Sequence, residues 1–283
     1  RVSGLRSVEF GVPDVPAAAK FYAGTWGLTP LDGGRGGSAY LRATGAPQPI
    51  VALSASAKPT LVAIEFAAPD KAAVDALHAS ARGHGVGAID SPGAIRDEPV
   101  ERYGFAFADP EGRRFVVSCA ASGAGAEPDA IDRPRKLSHV VLNSVAAERA
   151  TEFFVDVLGF RLSDRTVMMD FIRCNADHHS IAFVRTGRTG LNHVAFEMPD
   201  FDALMRGTGR MKAAGFPVEW GVGRHGPGNN IFNYFLDPHG FVIEYTSDVL
   251  QIVFDMAYPV GGPDDWTWPP GRVDRWGVSG PPS

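Results

Sequence analysis

Two spacings of apolar positions alternate along the chain, one of period two and one near 3.6. In "LRSVEFGVPDVPAAAKFYAGTWGL", from Leu5, an alternating strand passes through a short linker into a helical pattern. The same succession returns in "LSHVVLNSVAAERATEFFVDVLGF", from Leu137. Each predicted helix carries an aromatic pair, Phe21-Tyr22 or Phe153-Phe154, and closes on Gly27 or Gly159. Glycine is the expected helix stop because it takes positive φ without a Cβ clash.

The correspondence runs on. "YLRATGAPQPIVAL" from Tyr40 lies against "FIRCNADHHSIAF" from Phe171, and the stretch from Thr60 against that from Gly190. "YGFAFADPEGRRFVVS" from Tyr103 lies against "NIFNYFLDPHGFVIEYTS" from Asn230, with the Asp-Pro-x-Gly turns at 109–112 and 237–240 in register. Each half thus holds two units of strand, helix and further strands. Every helix needs a sheet face to cover, so the expectation is an α+β protein of four such modules. We expect an N-terminal domain at 1–120, a linker at 121–135 rich in small residues, proline and charge, a C-terminal domain at 136–248, and a tail at 249–283.

The copies differ where chemistry is concerned. His139 faces Ser7, His193 faces Ala63, Glu244 faces Val116, His179 faces Gln48 and Tyr234 faces Ala106. Only the second half carries groups able to bind metal or move protons at these places.

Length and composition narrow the class. The 283 residues suit two domains, and 45% hydrophobic with 21% charged residues is a globular composition. A net charge of −5 offers no footprint for nucleic acid or an anionic membrane. No apolar run reaches the roughly 20 residues of a membrane span, and the N-terminus lacks a signal-peptide core. Two cysteines, Cys119 and Cys174, are too few for a disulfide framework and point to a cytoplasmic protein.

His139, His193 and Glu244 each interrupt a short apolar strand. A lone strand histidine is more often a satisfied core residue than a ligand, but a core carboxylate needs a cation or a donor. Taken together, two imidazoles and a carboxylate from separate strands match the facial triad of non-haem Fe(II) oxygenases, and three ligands with open positions also suit catalytic zinc. His239 drops out, because its turn position carries Glu111 in the other copy.

On these residues the chain resembles the type I extradiol ring-cleavage dioxygenases of the vicinal oxygen chelate superfamily, built of paired βαβββ modules. The resemblance covers the chain to about Asp248. It implies that His139, His193 and Glu244 bind Fe(II), less often Mn(II), and that a catecholic substrate and O2 meet there. "RCNADHHSIAF" resembles the segment bearing the acid–base histidine, which is His179; His178 would point to the opposite face of a regular strand. "GRHGPGNNIFNY" resembles the segment that supplies a second pocket histidine and a tyrosine, here His225 and Tyr234. The product implied is a semialdehyde-type ring-opened compound, and association into homo-oligomers is expected of this architecture.

The same fold serves glyoxalase-like isomerases, usually with four protein ligands, and non-enzymatic binding proteins that generally lack the triad. Phe171, Ile172, Val184 and Phe232 are candidates to line an apolar pocket. The tail, with Trp266, Trp268 and Trp276 among prolines and glycines, carries too much apolar surface to leave in water and is expected to wrap over the second domain or a neighbouring subunit, near the pocket mouth.

Overall fold

The structure, a computed structural model, describes residues 1–32, 36–95, 99–120, 130–268 and 273–280. Of the expected linker, residues 121–129 lie outside the described residues. The first half forms strands β1 (Gly4–Val12), β2 (Thr29–Leu31), β3 (Ala39–Arg42), β4 (Pro49–Ala55), β5 (Thr60–Ala67), β6 (Gly93–Ile95), β7 (Arg102–Ala108) and β8 (Arg114–Ala120). Its helices are α1 (Val15–Lys20), which runs on as a π-helical stretch over Phe21–Trp26, and α2 (Lys71–Gly83). The second half forms β9 (Lys136–Ser144), β10 (Arg161–Arg165), β11 (Met169–Arg173), β12 (Ile181–Arg185), β13 (Gly190–Glu197), β14 (Trp220–Arg224), β15 (Ile231–Leu236) and β16 (Val242–Ser247). It carries α3 (Ala147–Leu158) and α4 (Phe201–Ala213).

Each half is one eight-stranded sheet, ordered β2-β3-β4-β1-β5-β8-β7-β6 and β10-β11-β12-β9-β13-β16-β15-β14. The two orders are the same, and each is two βαβββ modules joined through an antiparallel central pair, β1 with β5 and β9 with β13. Local chemistry sets the element ends at matching places. Asp70 and Asp200 accept the Ala73 and Ala203 N–H groups and cap α2 and α4. Gly27 and Gly159 end the first helix of each half at φ 99° and 75°.

Strand registers test the alignment of the copies. Glu9 pairs with Ala63 as Val141 pairs with His193, and Ala106 pairs with Val116 as Tyr234 pairs with Glu244. The expected match of His179 with Gln48 is corrected by one position. Val8 pairs with Val51 and Val140 with Ile181, which sets His179 against Pro49 and His178 against Gln48. The loop between β3 and β4 absorbs one extra residue, and the strand register is held by β1.

The helices lie between the two sheets. Phe154 of α3 meets Phe66 and Phe115 of the first sheet and Phe183 of the second, all edge-on. Trp26 stacks on Tyr245 of β16 with 3.7 Å between centroids, and Phe10 stacks on Phe241 at 4.4 Å. Buried apolar residues of both halves therefore form one continuous core. Alternation along β9 sends Val140 and Leu142 into that core, while His139 and Val141 face a cavity on the other side of the sheet.

The tail wraps over the second half as expected. Ile252 N–H donates to Ala176 C=O, Gly261 N–H to Asp164, and the Ser279 hydroxyl to Val222 C=O. Trp276 packs against Phe201 and under the Arg224 guanidinium. No helix among the described residues is long and apolar enough to cross a membrane.

Candidate active site

β9, β13 and β16 lie side by side and each contributes one polar residue to the cavity face. His139, His193 and Glu244 come together with one ligand-capable atom each, all within 4.8 Å of one another. His139 Nε2 stands 3.3 Å and His193 Nε2 3.2 Å from Glu244 Oε2. Glu244 is fully buried, and the histidines are 2% and 7% exposed.

The second ring nitrogens explain the orientation. His193 Nδ1 bonds Asn192 Oδ1 at 2.8 Å, and Asn192 donates in turn to Asn143 at 3.0 Å. His139 Nδ1 lies 3.1 Å from the Ser138 hydroxyl. Nδ1–H on both rings, directed at Asn192 and Ser138, would leave both Nε2 lone pairs for a cation held beside Glu244. His193 Nε2 has no hydrogen-bond partner despite its short distance to the carboxylate, because the two are close without being aligned. That orphaned buried atom, beside a buried acid flanked by two imidazoles, is what a cation would satisfy. Donors about 2.1 Å from one ion and roughly at right angles stand about 3 Å apart, which these spacings match. The donor set fits a divalent metal.

Burial works to raise the Glu244 pKa, but the His139 and His193 rings overcome it and hold the acid well below the usual carboxylate range. Burial lowers His193 against the pull of Glu244. His179 is buried, its ring 4.2 Å from that of His139 between centroids. Burial, with His139 and three other imidazoles around it, pushes its pKa well below the histidine norm.

His225 and Tyr234 stand on the far side. His225 Nε2 is 3.1 Å from the Tyr234 hydroxyl, and the Tyr234 ring meets His193 edge-on at 5.0 Å. Burial, and next the Glu244 charge, raise Tyr234 well above the usual phenol value, so it keeps its proton. Burial lowers His225 to about 4. Phe232 stacks against His225 at 4.0 Å and Trp220 lies over Tyr234 at 5.0 Å, which holds both rings in place.

All six residues expected from the sequence meet at one cavity of about 800 Å3, with Glu244 buried beneath the other five. Of the four lining candidates, Phe171 and Val184 line it; Ile172 belongs to the core, and Phe232 sits behind His225. Trp266 and Trp268 of the tail, expected near the pocket mouth, line the cavity too, and of its walls sequence reasoning missed the one supplied by Trp220. It also missed Asp164, which binds His178 beneath the site. Counting along the chain sets Asp164 against Asp32 and hides the difference. A register shift in β10 sets it structurally against Leu31, so an acid replaces a leucine there.

The first half shows what the site becomes without ligands. Its cavity of about 300 Å3 holds Glu65, which accepts from Ser7 at 2.9 Å and from Ser118, and pairs with Arg102 Nε at 3.0 Å. Arg102 occupies the place of Asn230, so a guanidinium supplies the internal cation.

A three-stranded donor set in a cavity on one face of a duplicated βαβββ sheet defines a class, and sequence comparison agrees. Residues 4–117 and 136–245 match the glyoxalase/bleomycin resistance protein/dioxygenase superfamily, and the chain belongs to it. Metapyrocatechase 2 of Cupriavidus necator is 39% identical over 131 residues, 45% of this chain and 41% of that protein. The chain spans about two fifths of the length of the curated relatives it first matches. The crystal structure of a Mn(II)-bound glyoxalase from Novosphingobium aromaticivorans aligns with TM-score 0.89 and 40% identity, covering 99% of this chain and 93% of that one. The 2,3-dioxygenase LapB of Pseudomonas sp. KL28 shares the fold, with TM-score 0.81 at 20% identity over 94% of this chain and 99% of that one.

Proposed function

We propose that the protein is an extradiol dioxygenase that opens the aromatic ring of a catecholic substrate with O2, with His139, His193 and Glu244 holding Fe(II). The observation that carries this reading is the set of three ligands beside a neutral, buried His179 in an apolar cavity. Metapyrocatechase 2, a relative by sequence, supports it. Three protein ligands leave positions for two substrate oxygens and O2. When bound, the metal supplies Lewis acidity and one point of attachment for both reactants.

The chain's own groups do the rest. His179, kept neutral by burial, accepts a proton from the substrate hydroxyl and returns it later as the ring opens. Tyr234, still protonated, and neutral His225 donate hydrogen bonds where negative charge develops on substrate oxygen. Phe171, Val184, Trp220, Trp266 and Trp268 exclude water and accept the ring and its substituents. Neither lysine nor arginine lines the described cavity, which favours uncharged, apolar substituents. The two free, buried cysteines fit the reducing cytoplasm in which we place the protein.

The Mn(II)-bound glyoxalase neighbour supports a second reading, a metal-dependent isomerase. Turnover of a catechol panel by iron-loaded protein, with and without O2, separates the two. Yellow ring-opened product formed only in air supports the dioxygenase; oxygen-independent turnover, or none of any diol, sinks it.

A further inference from the structure

Behind His179 lies a pair of buried side chains that the reaction above does not use. His178 is fully buried, and its Nδ1 stands 3.0 Å from His179 Nδ1. Its Nε2 stands 2.5 Å from Asp164 Oδ2, and Asp164 is 1% exposed. Asp164 is itself held by the tail. Its Oδ1 accepts the Gly261 N–H at 2.8 Å, and Gly261 C=O accepts the Arg165 N–H at 2.9 Å. The Tyr258 ring meets His178 edge-on at 6.4 Å between centroids.

For a neutral His178, the acceptor at the end of this chain sets the direction of donation along it. A carboxylate only accepts, so His178 Nε2 carries the hydrogen it shares with Asp164. A neutral imidazole has one N–H, which leaves His178 Nδ1 as a bare acceptor. The hydrogen between the two rings must then sit on His179 Nδ1. His179 Nε2 keeps its lone pair, and it is the nitrogen left for a ligand on a ring that lines the cavity. The tautomers follow from the network rather than from visible hydrogens.

We propose that Asp164 and His178 are positioning residues that fix His179 as its Nδ1–H tautomer and present Nε2 to the substrate as a proton acceptor. The proposal rests on the dioxygenase reading only for what His179 then does with that proton. The logic is that of a carboxylate orienting a catalytic imidazole, with a second imidazole placed between. It also gives the tail a part in the chemistry, since the Gly261 N–H steadies the carboxylate.

The test begins with metal-free protein labelled with 15N-histidine, whose two-bond nitrogen–proton correlations report each tautomer. Nδ1–H on His179 and Nε2–H on His178 are expected, and the opposite pair overturns the proposal whatever the activity proves to be. Asp164→Asn keeps the shape but offers an amide N–H to His178 Nε2, which turns His178 to Nδ1–H and His179 to Nε2–H. Reloaded with Fe(II), this variant should lose about 100-fold or more in kcat on a catechol. Its KM, anaerobic catechol affinity and iron content should stay within about twofold of the parent. A folded Asp164→Asn protein whose His179 tautomer is unchanged overturns the proposal, as does a switched tautomer with parental kcat. If no diol is turned over by the parent, the dioxygenase reading fails while the tautomers still decide the positioning role; if the variant does not fold, the parental tautomers decide it alone.

Discussion

Glu244 illustrates how one residue's environment dictates its chemistry. It is fully buried, carries a charge, and has two imidazoles rather than a lysine or arginine within reach of Oε2. In the other half the buried Glu65 pairs with Arg102 at 3.0 Å and with Arg6 at 3.6 Å, so guanidinium groups stand by that interior acid where Glu244 has imidazoles. Two outcomes follow. Glu244→Gln should lower metal content from one ion per chain to a small fraction, measured by elemental analysis of purified protein. Its melting temperature should no longer rise on metal addition, whereas the parent should gain about 3 kcal/mol at a hundredfold excess over Kd. Arg102→Met should do the reverse: cost about 3 kcal/mol of stability by leaving buried Glu65 only the more distant Arg6, 3.6 Å away, as a charged partner, read by denaturant titration, while metal content stays unchanged. His225 adds a pH dependence. It is neutral in the fold with a pKa of about 4, but the unfolded chain binds a proton below about 6.5, so the unfolded state holds more protons between those values. The stability of metal-free protein should therefore fall as pH drops from about 6.5 to 4, by at most about 1.4 kcal/mol per pH unit from this group. A slope unchanged in His225→Phe would refute the assignment.

At the scale of elements, strands place the site and the tail closes it. The triad and its cavity face could be read from the chain because duplicated strands keep the same alternation, so an acid or histidine that breaks the pattern in one copy stands out. His139, His193, Glu244 and Tyr234 were legible for that reason, and the registers of β9, β13, β15 and β16 agree with it. Where loop length or a bulge shifts the count, the reading fails. His179 was set against Gln48 instead of Pro49, and Asp164 was hidden opposite Asp32. The condition set for His178, a regular strand, is not met, for β12 begins only at Ile181 and the turn before it brings His178 behind His179. The tail has no period at all, so its apolar payload and its seat over the second half were legible while its individual contacts were not. Trp266 and Trp268 form one wall of the cavity. Trp268→Ala should weaken anaerobic binding of a bicyclic diol about tenfold, roughly 1.4 kcal/mol, and leave unsubstituted catechol nearly unaffected. Equal losses for both diols would show that the wall does not select for size.

For the molecule as a whole, the half without ligands has a use that its own cavity does not reveal. Glu244 and Tyr245 are neighbours on β16 and point to opposite faces, the acid to the site and the ring to the core. Tyr245 stacks on Trp26 and its hydroxyl donates to Trp26 C=O at 2.5 Å. Arg210 of α4 ties the same place together, donating to Thr25 C=O at 2.9 Å and to the Tyr245 hydroxyl at 3.3 Å. Gly207 lets α4 approach, since a Cβ there would stand 2.9 Å from the Tyr245 ring. Nearby, the Tyr22 hydroxyl donates to Asp237 at 3.0 Å, in the turn that leads into β16. The strand that carries Glu244 is thus braced from behind by the first half, which was not legible because Trp26 reads as an ordinary helix-face residue. Trp26→Ala should cost about 3–5 kcal/mol through the cavity it leaves. Because the core is continuous, tryptophan fluorescence and far-ultraviolet circular dichroism should report one shared unfolding transition in parent and variant alike. The brace makes a further demand on the variant: under conditions where it is still folded, metal should dissociate faster than from the parent, as followed by transfer to a chelator. Parental metal retention in folded Trp26→Ala protein would reduce the first half to a covering for the core.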